Sequence, residues 1–150
     1  MPVDVVTEIV IGCSPETVAA YSANPDNAPE WYQNITSVEW RTSPPLALGS
    51  RIAFVAHFLG RRMSYVYEVV DLAANRRLVM RTRQGPFPME TTYSWEPAGD
   101  GKTRMTLRNR GNPSGFSVLA LPLMALGIRR ANRKDLRRLK IHLEGRPSKT

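Results

Sequence analysis

A chain of 150 residues with 42% apolar and 23% charged side chains is long enough for one domain with a sizeable core, and its composition excludes a disordered protein. Residues 1–100 hold 8 basic and 11 acidic side chains, whereas residues 101–150 hold 13 basic and 2 acidic ones, for a formal net charge of +8. Charge this polarised favours an anionic partner surface. The single cysteine, Cys13, excludes an internal disulfide and a thiolate-rich zinc site.

The start of the chain predicts a cytoplasmic protein. Residues 1–4 lack the basic start and the apolar core of an export signal. The longest apolar run, residues 118–128, contains Pro122 and Gly127 and is too short to span a bilayer. We therefore expect neither export nor a membrane-spanning segment.

Residues 3–11 are rich in β-branched side chains and partly alternate, which predicts a first strand. Ser14 then precedes Pro15, an order typical of a helix start with the serine as N-cap and the proline at the first helical position. This short helix is expected to stop near residues 24–25. Residues 27–32 are predicted to form a loop that leads into a second short helix.

Between residues 35 and 110 apolar side chains recur at every second position, which is the period of a β-strand. The strands follow one another through short turns with no helix between them, so we expect an antiparallel sheet. One face of this sheet is large and apolar, and it needs to be covered. The pattern predicts six further strands, at residues 35–43, 52–58, 63–70, 77–83, 89–96 and 103–108.

The last third of the chain combines an apolar helical stripe with a basic face formed by residues 129–138. No other predicted helix is long enough to cover the apolar face of the sheet, so we expect this one to pack there. Pro122 and Gly127 leave its start open, with Met124 as one candidate. The stripe consists of Leu121, Met124, Ala125, Ile128, Asn132, Leu136, Leu139 and Leu143.

Several segments carry a resemblance to a known family. They are residues 14–18 at the first helix, residues 24–31 with a proline followed by a tryptophan, the strand GKTRMT at residues 101–106, and the helix ending at residues 136–144. The order of one strand, two short helices, six strands and a long helix resembles the helix-grip fold of the START-like (SRPBCC) superfamily. More narrowly, it resembles the polyketide cyclase/dehydrase and lipid-transport group.

This resemblance implies a single α+β domain over residues 1–150. A curved antiparallel sheet of about seven strands would grip the carboxy-terminal helix, with an apolar cavity between them. Residues 145–150 are expected to form a disordered tail. Members of this superfamily bind lipids, sterols, polyketides or quinones, and only some are enzymes, so the resemblance implies a hydrophobic ligand but no reaction.

The inward face of the predicted sheet is rich in aromatic side chains and methionine, which suit an adaptable apolar pocket. Core packing is the alternative for each residue alone, but several tyrosines together favour a cavity, because buried hydroxyls need partners. Trp31 and Tyr32 either gate this pocket or plug one end of the core. The other apolar and aromatic candidates for ligand contact are Phe54, Phe58, Tyr65, Tyr67, Met80, Tyr93, Met124 and Ile128.

Two polar side chains interrupt the helix stripe, Asn132 at its centre and Asp135 at its edge. A polar group facing a sealed core costs about 1–3 kcal/mol unless it is paired, so both are candidates for contact with a ligand or bound water. For Asp135 the favoured alternative is a surface ion pair with Arg138. Asn132 is therefore the better candidate.

No spacing in the sequence indicates a metal site, a cofactor or a catalytic triad. His57 and His142 have no acid or nucleophile at a fixed distance along the chain, and there is no phosphate loop or dinucleotide fingerprint. Cys13 precedes a helix, which either lowers the pKa of its thiol or leaves it as a buried structural residue, the commoner outcome.

The basic helix face is most simply a solvated surface, and peripheral contact with an anionic membrane is the alternative. Nucleic acid is disfavoured, because residues 129–146 contain no aromatic side chain for base stacking. An adaptor that docks this face on membrane or RNA is accordingly one functional hypothesis. A monomer and a homodimer are both compatible with the sequence.

Two further hypotheses place the function in the cavity. The favoured one is binding, with transport or sequestration, of a lipid, polyketide or quinone. The other is a polyketide cyclase or dehydratase that uses cavity tyrosine and aspartate groups for proton transfer. It requires Tyr65, Tyr93 and Asp135 to converge on one point.

Overall fold

The computed structural model describes residues 3–58, 60–85, 87–113 and 118–145, without the side chains of Phe58 and Val118. The tail expected at residues 145–150 lies outside these ranges except for Gly145. The elements in chain order are β1 (Val3–Ile11), α1 (Pro15–Ser22), a 3₁₀ turn (Pro25–Asn27), α2 (Ala28–Trp31), β2 (Ile35–Trp40), β3 (Arg51–Phe58), β4 (Arg61–Ala73), β5 (Arg77–Gln84), β6 (Met89–Pro97), β7 (Thr103–Gly111), a second 3₁₀ turn (Val118–Ala120) and α3 (Leu121–Glu144).

The seven strands form one sheet in the order β1-β7-β6-β5-β4-β3-β2, and every neighbouring pair is antiparallel. Consecutive strands from β2 to β7 are neighbours in the sheet, because short connections join them. β1 pairs with β7, at the opposite edge of the sheet from β2. Two short helices follow β1, and α3 comes last. The predicted α+β helix-grip fold is therefore confirmed.

The helix starts follow from local chemistry. The Ser14 hydroxyl accepts a hydrogen bond from the backbone N–H of Thr17 at 3.3 Å, so it caps α1 as predicted. The long helix begins at Leu121, and the later start near Met124 is wrong. Pro122 lies in the first turn, where backbone N–H groups make no hydrogen bond within the helix. The N–H that proline lacks is therefore not needed there, and the helix can begin before it.

The main core lies between the inner face of the sheet, α1 and the carboxy-terminal half of α3. Leu136, Leu139 and Leu143 of α3 are buried there together with β-sheet side chains such as Leu78 and Leu107. A smaller cluster joins Val3 and Val5 of β1 to Met124 at the other end of α3. The helix is thus fixed to the sheet at both ends, and its middle faces the site described below.

Candidate functional site

A cavity of about 270 Å³ lies between the inner face of the sheet and the first half of α3, and we call it the grip cavity. At one end it is bounded by Arg61, which begins β4, Phe87, which precedes β6, and Pro113, which follows β7. Arg61 is exposed, so this end is its mouth. The volume is just below the range of about 300–1,000 Å³ typical of small-molecule sites.

The predicted contact residues line the grip cavity, with two exceptions that follow below. Alternation along β3 to β6 directs their side chains to one face of the sheet, and a helical spacing of three or four residues directs those of α3 toward that face. The predicted residues that line the cavity are Tyr32, Phe54, Tyr65, Tyr67, Met80, Tyr93, Met124, Ile128, Asn132 and Asp135.

Trp31 and Phe58 are the two exceptions. Trp31 is fully buried in the main core and does not line the cavity. It ends α2, and its ring stacks on Tyr32 with 4.0 Å between centroids. Trp31 therefore supports the wall that Tyr32 forms, which corrects its predicted contact with ligand. The side chain of Phe58 lies outside the described part of the structure.

Three tyrosines and a threonine form a polar cluster at the inner wall. The Tyr32 and Tyr93 hydroxyls lie 2.6 Å apart in a hydrogen bond. The Thr91 hydroxyl donates to the Asn109 side-chain oxygen at 3.0 Å and lies 3.4 Å from the Tyr67 hydroxyl. Burial raises the pKa of Tyr32, Tyr67 and Tyr93 above the usual tyrosine range, so all three hydroxyls stay protonated at neutral pH.

Asp135 is only 3% exposed, which corrects its expected position at the surface. Its carboxylate accepts a hydrogen bond from the backbone N–H of Gln33 at 3.1 Å. Burial raises the pKa of Asp135 to about 6, although the Gln33 hydrogen bond and the Arg138 charge both oppose the rise. Asp135 is therefore a cavity acid that exchanges its proton close to neutral pH.

Asn132 is 5% exposed and faces the grip cavity one helical turn before Leu136. Its side-chain Nδ2 has no hydrogen-bond partner in the part of the chain that the structure describes. A buried donor without a partner costs about 1–3 kcal/mol, which a hydrogen-bond acceptor on a ligand would offset. Its buried position in the stripe agrees with the sequence prediction, while its contact with a ligand stays a prediction.

Sequence reasoning missed part of the cavity wall. Asn109 and Arg110 both line the cavity, because β7 continues four residues past Leu107 and ends at Gly111. Extending the alternation from Leu107 to Asn109 would have found the asparagine. Arg110 lies on the opposite parity, so no alternation pattern could have found it.

Arg110 contributes a second unpartnered donor to the cavity wall. Its Nε is buried and has no hydrogen-bond partner among the described residues. Its Nη1 lies 3.5 Å from Glu90, a buried carboxylate that also accepts a hydrogen bond from Arg81 at 2.7 Å. Arg81 and Arg110 contact different oxygens of the Glu90 carboxylate, so Glu90 holds the Arg110 guanidinium at the cavity wall while the Arg110 Nε stays without a partner among the described residues.

The remaining chemistry-bearing side chains lie away from the cavity. His57 is exposed, and His142 stacks on Tyr21 with 4.8 Å between ring centroids. Burial is the largest of the effects that raise the pKa of the Cys13 thiol, so the alternative of a lowered pKa is wrong. Within the described ranges, no three His, Cys, Asp or Glu side chains are grouped so that they could hold a metal ion.

The family model for polyketide cyclase / dehydrase and lipid transport proteins matches residues 2–144, so the chain belongs to this family and the resemblance in its sequence is confirmed. No curated protein matches the chain. None of the helices within the described ranges has both the length and the apolar character needed to cross a membrane.

Solved structures share this fold at low sequence identity. A Thermus thermophilus protein superimposes with a TM-score of 0.83 at 19% identity, covering 97% of this chain and 99% of the other. A START superfamily protein from Mycobacterium smegmatis gives 0.79 at 16%, covering 95% and 97%. The Zhui aromatase/cyclase from a Streptomyces species gives 0.78 at 12%, covering 94% and 93%. At these identities the likeness shows the fold alone.

Proposed function

We propose that this protein binds an amphipathic small molecule, such as a lipid, a polyketide or a quinone, in the grip cavity, for transport or sequestration. The observation that carries the proposal is a cavity with mostly apolar walls in which the Asn132 amide has no partner among the described residues. A core that evolved only for packing gains nothing from an empty volume and an unpaired donor, because both cost free energy.

The walls define what the ligand looks like. Phe54, Met80 and Met124 provide apolar contacts for a hydrocarbon or aromatic body. Asn132 and Arg110 offer donors, so the ligand carries hydrogen-bond acceptors such as carbonyl or carboxylate oxygens. The modest volume suits a small ligand, or the inserted part of a longer one.

Native mass spectrometry of the protein purified without detergent tests this proposal, together with titration of cis-parinaric acid, a naturally fluorescent fatty acid. We expect a co-purified small molecule, and saturable probe fluorescence that unlabelled amphiphiles displace. The Asn132→Leu variant should bind the probe more weakly, whereas Leu48→Ser, an exposed position away from the cavity, should bind it like wild type. The absence of both a bound mass and saturable fluorescence in the folded protein would reject the proposal.

A second candidate function is cyclisation or dehydration of a polyketide chain. It requires Tyr65, Tyr93 and Asp135 to converge on one point, and the observation that favours it is that all three line the grip cavity. Tyr93 feels the charge of Asp135, and the Tyr65 ring lies 5.9 Å from that of Tyr67. The family name and the Zhui aromatase/cyclase neighbour include this activity among those the fold supports.

In such a reaction Asp135, as the carboxylate, would remove a proton from a carbon between two carbonyl groups. That carbon then bonds to the carbon of another carbonyl group further along the chain. A tyrosine hydroxyl protonates the alkoxide that forms there. Proton transfer from Asp135 back to the tyrosinate restores both groups. Loss of the new hydroxyl with a neighbouring hydrogen releases water and completes dehydration.

Incubation with a poly-β-ketone thioester followed by mass spectrometry tests this second candidate. Ring products that depend on Asp135 and Tyr93 would support it. Equal product distributions with wild type, Asp135→Asn and no protein would reject it, while probe binding would still report on the first proposal.

Three properties predicted from the sequence are untested by the fold. They are the cytoplasmic location, the monomeric or homodimeric state, and contact between the basic face of α3 and an anionic membrane. Each stays a prediction.

A further inference from the structure

The outward side of α3 and the 3₁₀ turn before it forms a continuous surface that we call the outer face. Leu119, Leu123 and Leu126 are 89%, 72% and 59% exposed on it. The same face continues with exposed arginines at the following helical positions, spaced by four, three and four residues. These arginines are Arg130, Arg133 and Arg137.

Three exposed leucines on one helix face are unusual for the outside of a soluble domain. Single exposed apolar side chains are common, and Leu48 and Ile141 are examples elsewhere in this chain. The inner face of the same helix already buries Met124 and Leu136, so the outer leucines contribute nothing to the core. Exposed apolar side chains grouped in this way are typical of a surface that contacts a membrane or another protein.

Two of the leucines lie on the same turns of α3 as part of the cavity wall, on the opposite side of the helix. Leu123 and Leu126 are exposed, whereas Met124 and Ile128 line the grip cavity from the inner side. Met124 packs against Val3, which pairs with Gly111 of β7, so these turns lie close to Pro113 at the mouth of the cavity. A phase that receives the leucines therefore lies close to the mouth of the cavity.

The charges at the other end of the outer face identify that phase. In the described ranges, no salt bridge involves Arg130, Arg133 or Arg137. Leucines suit the acyl boundary of a bilayer and arginines suit its phosphate groups, so a face that carries both fits the surface of an anionic membrane. Nucleic acid would use the arginines but not the leucines, and a second copy would bring like charges together.

We propose that the outer face docks on an anionic phospholipid bilayer, with the leucines in the interface, the arginines on the headgroups, and the cavity mouth turned toward the membrane. This orientation lets an amphipathic molecule pass between the bilayer and the grip cavity without crossing water. The docking surface is separate from the cavity walls, so it does not depend on the ligand that the cavity holds.

Co-sedimentation with vesicles of phosphatidylcholine mixed with phosphatidylglycerol tests this proposal, with pure phosphatidylcholine vesicles for comparison. Wild type should pellet with the anionic vesicles and release when salt is raised, because salt screens the arginine contacts. The triple variant Leu119→Ser, Leu123→Ser, Leu126→Ser should bind at least about tenfold more weakly, because it lacks the apolar side chains that enter the interface. The double variant Leu48→Ser, Ile141→Ser, with comparably exposed positions elsewhere, should bind like wild type.

A second variant, Arg130→Glu, Arg133→Glu, Arg137→Glu, should also lose binding to the anionic vesicles while it keeps the wild-type circular dichroism and melting temperature. The serine variant should still take up cis-parinaric acid from solution, which separates docking from ligand binding. Three results would overturn the proposal: no wild-type binding to anionic vesicles, unchanged binding by both triple variants, or leucine substitutions that only dissociate a homodimer in light scattering.

Discussion

The two halves of α3 differ in what they contact, although they belong to one continuous helix. The carboxy-terminal half buries Leu136, Leu139 and Leu143 in the main core, where they contact side chains of the sheet and α1. The amino-terminal half places Met124, Ile128 and Ala131 against the grip cavity. The carboxy-terminal half thus supplies most of the helix's core contacts, whereas the amino-terminal half lines the cavity and packs on the sheet through the smaller cluster of Met124 with Val3 and Val5.

Polar chemistry marks the boundary between these halves. Asn132 and Asp135 lie where the packed stripe ends, and both are buried. At the carboxy-terminal end, the Glu144 carboxylate accepts a hydrogen bond from the Gly12 N–H at 2.9 Å, which adds a polar tie to the residue that follows β1. The comparison predicts large stability effects in the packed half and large binding effects in the cavity half.

The largest stability effect is expected at the packed half. Leu139→Ala should lower the free energy of unfolding by about 2–5 kcal/mol, because Leu139 is fully buried and its removal leaves a void. Urea denaturation followed by circular dichroism measures this change. Ile141→Ala, exposed two residues away, should change the same free energy by less than about 0.5 kcal/mol. Equal effects at the two positions would contradict the packing described for this half.

The next effect concerns Asp135 at the boundary and depends on pH. Its pKa is raised from 3.8 to about 6 in the folded state, so the folded protein binds the proton more tightly than the unfolded chain does. The resulting stabilisation is fully present below pH 3.8 and is lost as the pH rises through about 6. Asp135→Asn, which stays neutral, should therefore become more stable relative to wild type by about 2–3 kcal/mol between pH 4 and pH 8. Melting curves across this range measure the difference. No change with pH would place Asp135 in contact with solvent, and a change of opposite sign would place it beside a cation.

Met124 gives the matched test in the cavity half. Met124→Ala should cost about 1–2 kcal/mol, less than Leu139→Ala, because a side chain that borders an empty volume already lacks partner atoms on one side. The same substitution enlarges the grip cavity and should shift probe affinity, whereas Leu139→Ala should not shift it in the folded protein. Denaturation and probe titration of both variants make the comparison, and the reverse ranking would refute the division of α3 into two halves.

The smallest stability effect is expected at Asn132. Asn132→Leu should leave the free energy of unfolding unchanged or raise it by about 1 kcal/mol, because an unpaired buried donor is removed. Probe affinity should fall by about three- to tenfold, the value of one lost hydrogen bond. If the variant were instead strongly destabilised, the Asn132 amide would have a structural partner.

Most of the fold follows from local patterns that the sequence displays. Alternation from residue 35 onward gives the strands and their inward faces, and Ser14 with Pro15 fixes the start of α1. Most of the predicted contact residues line the grip cavity, because a period of two leaves only one face for them. The ligand contacts themselves stay predictions.

Other features depend on distances between segments that no local pattern encodes. The spacing along α3 allows Asp135 to pair with Arg138 one turn away, yet tertiary packing brings it under Gln33 in the connection after α2. Trp31 and Tyr32 are neighbours in sequence, but only the second lines the cavity, because the chain turns from helix to extended backbone between them. Arg110 lines the cavity from the end of β7, on the parity that alternation assigns to the opposite face.

The most direct test of the account is to fill the grip cavity and measure ligand uptake. Ala131 lines the cavity from α3, so Ala131→Phe should abolish saturable cis-parinaric acid binding while the melting temperature stays close to wild type. Ala20→Phe, which fills a separate hollow beside α1, is the matched control and should bind like wild type. Wild-type binding by the folded Ala131→Phe variant would contradict the claim that the ligand occupies this cavity.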